Sequence, residues 1–301
     1  MPRRKVSPQR ARLGERLREL RAARFRWGAA LARRLGWQQT RVSKLELGSQ
    51  LPSDEDLDAW VAATEAAPNV RAELAELLTQ ARIEHRVWGE DYRSGSIAAS
   101  QAQIGELEAR ATVIREYQPS MLPSIVQTPA YAREMLMAPG GPVLVGATPD
   151  APDAVEALIA ERVKRQALLY EPGRQVQIVL GQAALSVHFG SVETLIGQLD
   201  RLVVLAGLTS VNLRVLPAAA PSPILPLGGF SIHDGETLWL ETLTREMRTT
   251  DPEEIRVHTA AFEVAREAAA AGADAVTLIQ RVAAELRDRS VTSPSNAGDL
   301  D

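Results

Sequence analysis

The chain has 301 residues, of which 45% are hydrophobic and 24% charged, enough for one large domain or two ordinary ones with packed cores. This composition excludes wholesale disorder, and no apolar run approaches the roughly 18 residues of a membrane-spanning helix. With no cysteine, disulfides, thiol chemistry and cysteine-ligated metals are excluded. The N-terminus is basic but no apolar core follows it, so no secretory leader is expected and the expected location is the cytoplasm, at the nucleoid when DNA is bound.

The net charge of -4 hides a strong polarity. Residues 1–50 hold fourteen Lys/Arg against three acids, a balance of +11, whereas residues 51–90 carry -6 and the remainder -9. A small basic module joined to a larger acidic body is expected.

In the first helix Leu13, Leu17 and Leu20 recur at i, i+4 and i+7, an amphipathic stripe. A second helix fits Trp27 to Arg34, with Ala30 and Leu31 inward and Leu35 at its end, and Gly36 stands where a helix ends in the left-handed conformation. A third fits Gln38 to Glu46, with Val42 and Leu45 inward and Gly48 closing it. Two short helices joined through a tight Gly turn make a helix-turn-helix. With Val42 and Leu45 inward, Gln38, Gln39, Thr40, Arg41, Ser43 and Lys44 point outward. Amides suit adenine, Arg and Lys suit guanine, and the N-terminal part of such a helix enters the major groove. Gln38, Gln39, Thr40, Arg41 and Lys44 are therefore the candidate base contacts. Arg33, Arg34, Ser43 and the basic arm Arg3, Arg4, Lys5 and Arg10 are the candidate phosphate contacts.

The run from Leu31 to Gly48 resembles the Cro/repressor (Xre-type) helix-turn-helix, matching in the alanine of the second helix, the turn glycine, the apolar pair of the third helix and the closing Glu-x-Gly. Trp27 and Gly28 depart from it, standing where the family has a Thr or Ser cap and a following Gln. The resemblance implies a five-helix DNA-binding domain that reads a two-fold operator as a homodimer. Two further helices complete it: Ser53 heads a capping-box pattern before Leu57, Trp60, Val61 and Thr64, and Val70, Leu74, Leu77, Leu78 and Ala81 line the next. The acids clustered here would repel phosphate, so this surface should face away from DNA.

The DNA-binding domain is placed at 1–81, a linker and connecting helix at 82–117, an α+β domain with a small sheet at 118–289, and a disordered tail at 290–301. In the connecting helix, headed by Ser100-x-x-Gln103, the spacing of Ile104, Leu107, Ala111 and Ile114 fits either a coiled-coil seam or a core-facing helix. Thr128-Pro129 starts a helix, and a long one follows from Pro152 to Tyr170, with Val155, Leu158, Ile159 and Val163 inward. Val176, Ile178 and Leu180 alternate as a strand, as do Val211, Leu213 and Val215, with a helix capped by Ser191 between them. Asp234-Gly235 between Phe230–His233 and Glu236–Glu241 signals a hairpin. Asp251-Pro252 starts one last-quarter helix, and Leu278, Ile279, Val282 and Leu286 stripe another.

From about Ala81 to Leu286 the sequence resembles the DUF5753 domain found behind Xre-type regulators in actinobacteria. Tyr117-Gln118-Pro119, Gln127-Thr128-Pro129-Ala130-Tyr131, Glu161-Arg162 through Arg165-Gln166, and Leu180-Gly181-Gln182-Ala183-Ala184-Leu185 carry the match, with Gln182 where Glu is common. The resemblance implies developmental or secondary-metabolite control, a small DUF397-type protein partner in some members, and an antitoxin-like role in others.

No pair among His85, His188, His233 and His258 has metal-ligand spacing, and no P-loop, G-x-S-x-G or strand-borne G-x-G-x-x-G occurs. Neither an enzyme nor a cofactor is expected. The candidate ligand or partner site is Tyr117, Gln127 and Tyr131 with Arg162, Arg165 and Gln166, which share a helix face, and Glu241. This set fits an internal polar network or a pocket for a small-molecule or peptide effector.

Overall fold

The computed structural model describes residues 6–67, 69–87, 97–138, 152–242 and 245–292. The chain divides into two compact units, Met1–Glu84 with Arg248–Asp251, and His85–Met247 with Pro252–Asp301.

The first unit is all-helical: α1 (Pro8–Arg24), α2 (Gly28–Leu35), α3 (Gln39–Glu46), α4 (Asp54–Thr64) and α5 (Val70–Arg82). Ser7 caps α1 by accepting from the Arg10 amide, and Pro8 follows where its missing N–H costs nothing. Gly36 takes the left-handed conformation (φ 69°) and turns the chain from α2 into α3. Ser53 and Asp56 form the expected capping box at the start of α4. Leu13, Leu17, Leu31, Val42, Leu45, Leu57, Trp60, Leu74 and Leu78 are buried in one core. The Trp60 indole, fully inside, donates to the Leu17 carbonyl at 3.2 Å, so its one polar atom is satisfied.

The second unit is α+β. Its helices are α6 (Ile97–Arg110), α7 (Pro129–Met137), α8 (Pro152–Arg165), α9 (Val192–Ala206), α10 (Pro252–Ala268) and α11 (Gly272–Thr292). The strands of the chain are β1 (Ile83–Val87), β2 (Val113–Gln118), β3 (Gln175–Gly181), β4 (Val211–Leu216), β5 (Phe230–His233), β6 (Thr237–Glu241), β7 (Arg245–Thr249) and β8 (Ala270–Ala271), the first two residues of β1 and the last two of β7 falling in the first unit. They form one sheet in the order β1-β7-β6-β5-β2-β3-β4-β8. Strands β2, β3 and β4 are parallel, while β5, β6 and β8 join antiparallel, so the sheet is mixed. One face carries Ile114, Val176, Ile178, Leu180, Val211, Leu213 and Val215 against Leu195, Leu199 and Leu202 of α9 and Ile279 and Val282 of α11. The other carries Tyr117, Val179, Phe230, Ile232 and Leu238 against Ile255, Phe262 and Ala265 of α10.

Several expectations are corrected. Residues 82–117 are not merely a linker and helix, because most of β2 lies there and pairs with both β3 and β5. Helix α6 starts at Ile97, before Ser100, and ends at Arg110, so Ile114 belongs to the strand and the heptad reading fails; Glu108, not Leu107, is buried beside Ile104. The long helix stops at Arg165 and tightens into a 3-10 turn to Tyr170, leaving Val163 exposed. Residues 290–292 continue α11, and the rest of the expected tail lies outside the described residues. The hairpin turns at Asp234 and Gly235, both left-handed. The Asp234 carboxylate also accepts from the Thr112 and Val113 amides at 2.9 and 2.8 Å, fixing the start of β2.

Candidate functional site

Helix α3 presents a face built for contact. Val42 and Leu45 are buried, while Gln38, Gln39, Thr40, Arg41, Ser43 and Lys44 are all exposed. Gln38 is the N-cap residue and makes no side-chain cap bond; its amide oxygen instead accepts from the Thr40 hydroxyl at 3.5 Å. Arg33 and Arg34 are exposed in the last turn of α2. Arg10 is half-buried within α1 rather than on an arm, and Arg3, Arg4 and Lys5 lie outside the described residues.

Two ion pairs fix this helix, and neither was foreseen. The Arg21 guanidinium of α1 donates to both Glu46 carboxylate oxygens, at 2.7 and 3.1 Å, and to the Phe25 and Arg26 carbonyls at 3.2 Å each. Planar Arg matches carboxylate geometry, so the end of α3 is held against α1. Gly48 follows in the left-handed conformation, where a Cβ would come within 2.6 Å of the Arg10 carbonyl oxygen. At the other end, Arg41 donates to Asp56 of α4 at 2.7 Å and lies over the Trp37 ring, 4.4 Å from its centroid.

The C-terminal candidates divide. Gln127, Arg162 and Gln166 come together: Arg162 donates to the Gln127 side-chain oxygen at 2.9 Å, Gln166 to the Gln127 carbonyl at 2.5 Å, and Gln127 to the Leu122 carbonyl at 2.8 Å. Arg165 turns instead to Glu108 of α6, through two bonds of 2.7 and 2.5 Å, both side chains nearly sealed at 6% and 8% exposure. Gly105 of α6 lets the Arg165 stem pass, since a Cβ there would lie 3.3 Å from it. Tyr131 donates to the Val187 carbonyl at 2.9 Å and packs edge-on against Phe189; burial pushes its hydroxyl up to about 12. Tyr117 does not join the group, because strand alternation puts it on the opposite sheet face, against Phe230.

Beside Glu241, which was expected there, stand residues not singled out. Register and alternation put Glu116, Gln118, Ser231, His233, Trp239 and Glu241 on the Arg-facing side. Loss of hydration raises the Glu116 carboxyl to about 8, against a bond from Gln118 that lowers it, with the nearby Glu241 charge adding to the rise. Gln118 reaches Glu116 at 2.7 Å because Gly229 leaves room, a Cβ there falling 2.0 Å from its amide oxygen. Glu241 is reached by solvent, yet surrounding protein strips enough water to hold its carboxyl above the ordinary range, opposed by the Arg162 charge and a bond from Trp239. Burial likewise holds the His233 imidazole below its usual value. This half of the face is a polar cluster of acids and arginines, where the other half is apolar core.

Among the described residues no helix is long and apolar enough to cross a membrane, and no three His, Asp or Glu side chains are grouped to hold a metal ion.

A model described as a helix-turn-helix domain matches residues 12–74, and one described as a domain of unknown function (DUF5753) matches residues 101–281. No curated protein matches the chain. Among solved structures it is similar to NucT from Helicobacter pylori, with 14% identity and a TM-score of 0.33 over 63% of this chain and 98% of that one. It is also similar to TrmBL2, an archaeal chromatin protein described as showing a novel mode of DNA binding, with 16% identity and a TM-score of 0.29 over 72% of this chain and 65% of that one. With its matched span covering more than half of the sequence, the chain belongs to the DUF5753 family and carries that domain behind an N-terminal helix-turn-helix.

Proposed function

We propose that this protein is a sequence-specific transcription regulator of the Xre type, not an enzyme, that binds a two-fold DNA operator as a homodimer. The observation that carries the reading is the outer face of α3, where six polar side chains are exposed while Val42 and Leu45 anchor the helix. Gln38, Gln39, Thr40, Arg41 and Lys44 would meet base edges in the major groove, and Arg33, Arg34 and Ser43, with the basic arm Arg3, Arg4 and Lys5, would meet phosphates. Operator pseudo-symmetry in related motifs supports the dimer. The DUF5753 domain would receive a signal, and the polar cluster of Glu116, Arg162 and Glu241 supports a small-molecule effector. Developmental or secondary-metabolite control in an actinobacterial cytoplasm follows from the family resemblance.

Operator selection from random DNA tests this reading. Arg41→Ala is expected to cost about 1–3 kcal/mol and relax preference at one base pair. Arg34→Ala should weaken every sequence alike and reduce the salt slope by about one. Selection of no shared sequence by the wild type would overturn the proposal.

A second reading is an antitoxin-like protein whose main work is binding a small DUF397-type partner, its DNA binding serving autoregulation. It is favoured by Leu225 and Leu227, 78% and 89% exposed in the Pro-rich segment between β4 and β5, where apolar side chains offer a contact at no desolvation cost to polar groups. Co-purification of one small protein, lost in Leu225→Ser/Leu227→Ser, would select this reading.

A further inference from the structure

Arg41 is held by groups from outside its own helix. Its guanidinium donates to Asp56 at 2.7 Å and lies over Trp37, yet the side chain keeps 43% exposure against 8% for Asp56. Asp56 is itself fixed: one carboxylate oxygen accepts from the Ser53 amide at 3.1 Å, and the Ser53 hydroxyl accepts from the Asp56 amide at 3.1 Å. Trp37 is backed by the buried Trp60, with ring centroids 6.3 Å apart. A core tryptophan thus supports a second, on which the guanidinium rests, while a capped carboxylate grips one of its nitrogens. Arginine has five N–H donors in a rigid plane, so most remain for another acceptor.

We propose that Asp56, which lies outside the recognition helix, is a specificity-determining positioning residue that sets the Arg41 guanidinium in the orientation that reads one guanine. The proposal rests on the DNA-reading function above. Guanine offers two acceptors, N7 and O6, side by side in the major groove, and only a correctly oriented planar fork takes both. A free arginine would lose its rotamer freedom on docking, whereas one already held by Asp56 and Trp37 has lost it in folding.

The test compares wild type, Arg41→Ala, Asp56→Asn and Ser53→Ala, each as the full chain, by random-operator selection at two salt concentrations with melting temperatures alongside. Asn at 56 keeps an oxygen for the Ser53 amide and removes the charge that grips Arg41, while Ser53→Ala weakens the cap and spares the grip. Asp56→Asn is expected to lose about tenfold in preference at the one base pair affected by Arg41→Ala, with its salt slope unchanged and Ser53→Ala retaining the preference. Unaltered preference in Asp56→Asn overturns the proposal, as do equal losses at all positions or tighter binding. A wild type that selects no sequence removes the DNA-reading premise and the proposal with it. A wild type that selects a motif insensitive to Asp56 removes the proposal alone.

Discussion

Arg165→Ala is expected to lower the stability of the C-terminal unit by about 3–5 kcal/mol, with little change in the melting of the helix-turn-helix unit. The reason lies in Glu108, whose carboxylate is 8% exposed and accepts two bonds from Arg165. Removing the guanidinium strands that charge in a poorly hydrated site, and the loss of one partner of a buried pair costs more than the pair contributes. The converse follows. Glu108→Leu with Arg165→Met should recover most of the loss, because two apolar side chains of similar volume need no compensation. Chemical unfolding of the single and double variants, followed by a probe in each unit, checks both. Equal destabilisation by single and double changes would show that shape, not charge, holds α6 to α8.

The helix-turn-helix was legible because everything that defines it is local. The stripe of Leu13 and Leu17, the turn at Gly36 and the Val42–Leu45 pair are separated by three or four residues or by one turn, and each obeys helical periodicity. What fixes that module in place was not legible. Arg21 and Glu46 are 25 residues apart and Arg41 and Asp56 are 15 apart, and charges on a basic, helix-rich stretch give no sign of which partner they take. In the body, β3, β4 and the β5–β6 hairpin were readable because their inward positions are apolar. Strand β2 was not, although it lies in the middle of the sheet. Its Arg-facing positions include Glu116 and Gln118, so the alternation that marks a half-buried strand is broken by polar side chains turned toward the arginines. Glu108 hid for the same reason: it is a buried acid on a helix whose apolar spacing continued past the true helix end into Ile114. The features least visible in the sequence are thus the polar groups turned inward, and these are what the C-terminal unit gathers beside Arg162 and Arg165.

The second large effect is a dependence of stability on pH that comes from Glu116. Its carboxyl titrates near 4.5 when solvated and about 8 in the folded protein, chiefly because burial disfavours the charge. Between those values the native state holds a proton that the unfolded chain has released, so stability falls as pH rises through this window. Full linkage across it would approach about 5 kcal/mol, and the partial exposure of the carboxyl brings the expected loss nearer to about 3 kcal/mol. Glu241 is shifted in the same direction and adds to the slope. His233 opposes it: a histidine held below its usual value must gain a proton on acid unfolding, so its contribution appears above about pH 6.5 and is lost as pH falls. The two trends give the wild type a stability maximum on the acid side of neutrality. Glu116→Gln removes the carboxyl while leaving an amide for Gln118 to meet, and it should gain stability over wild type at pH 8.5 and show little gain at pH 5. Urea midpoints of both proteins across pH 5–9 provide the measurement, and their difference isolates Glu116 because every other titrating group is common to both. A constant difference across that range would mean that Glu116 keeps its charge in the fold, and that the polar cluster around it is wetter than its crowding implies.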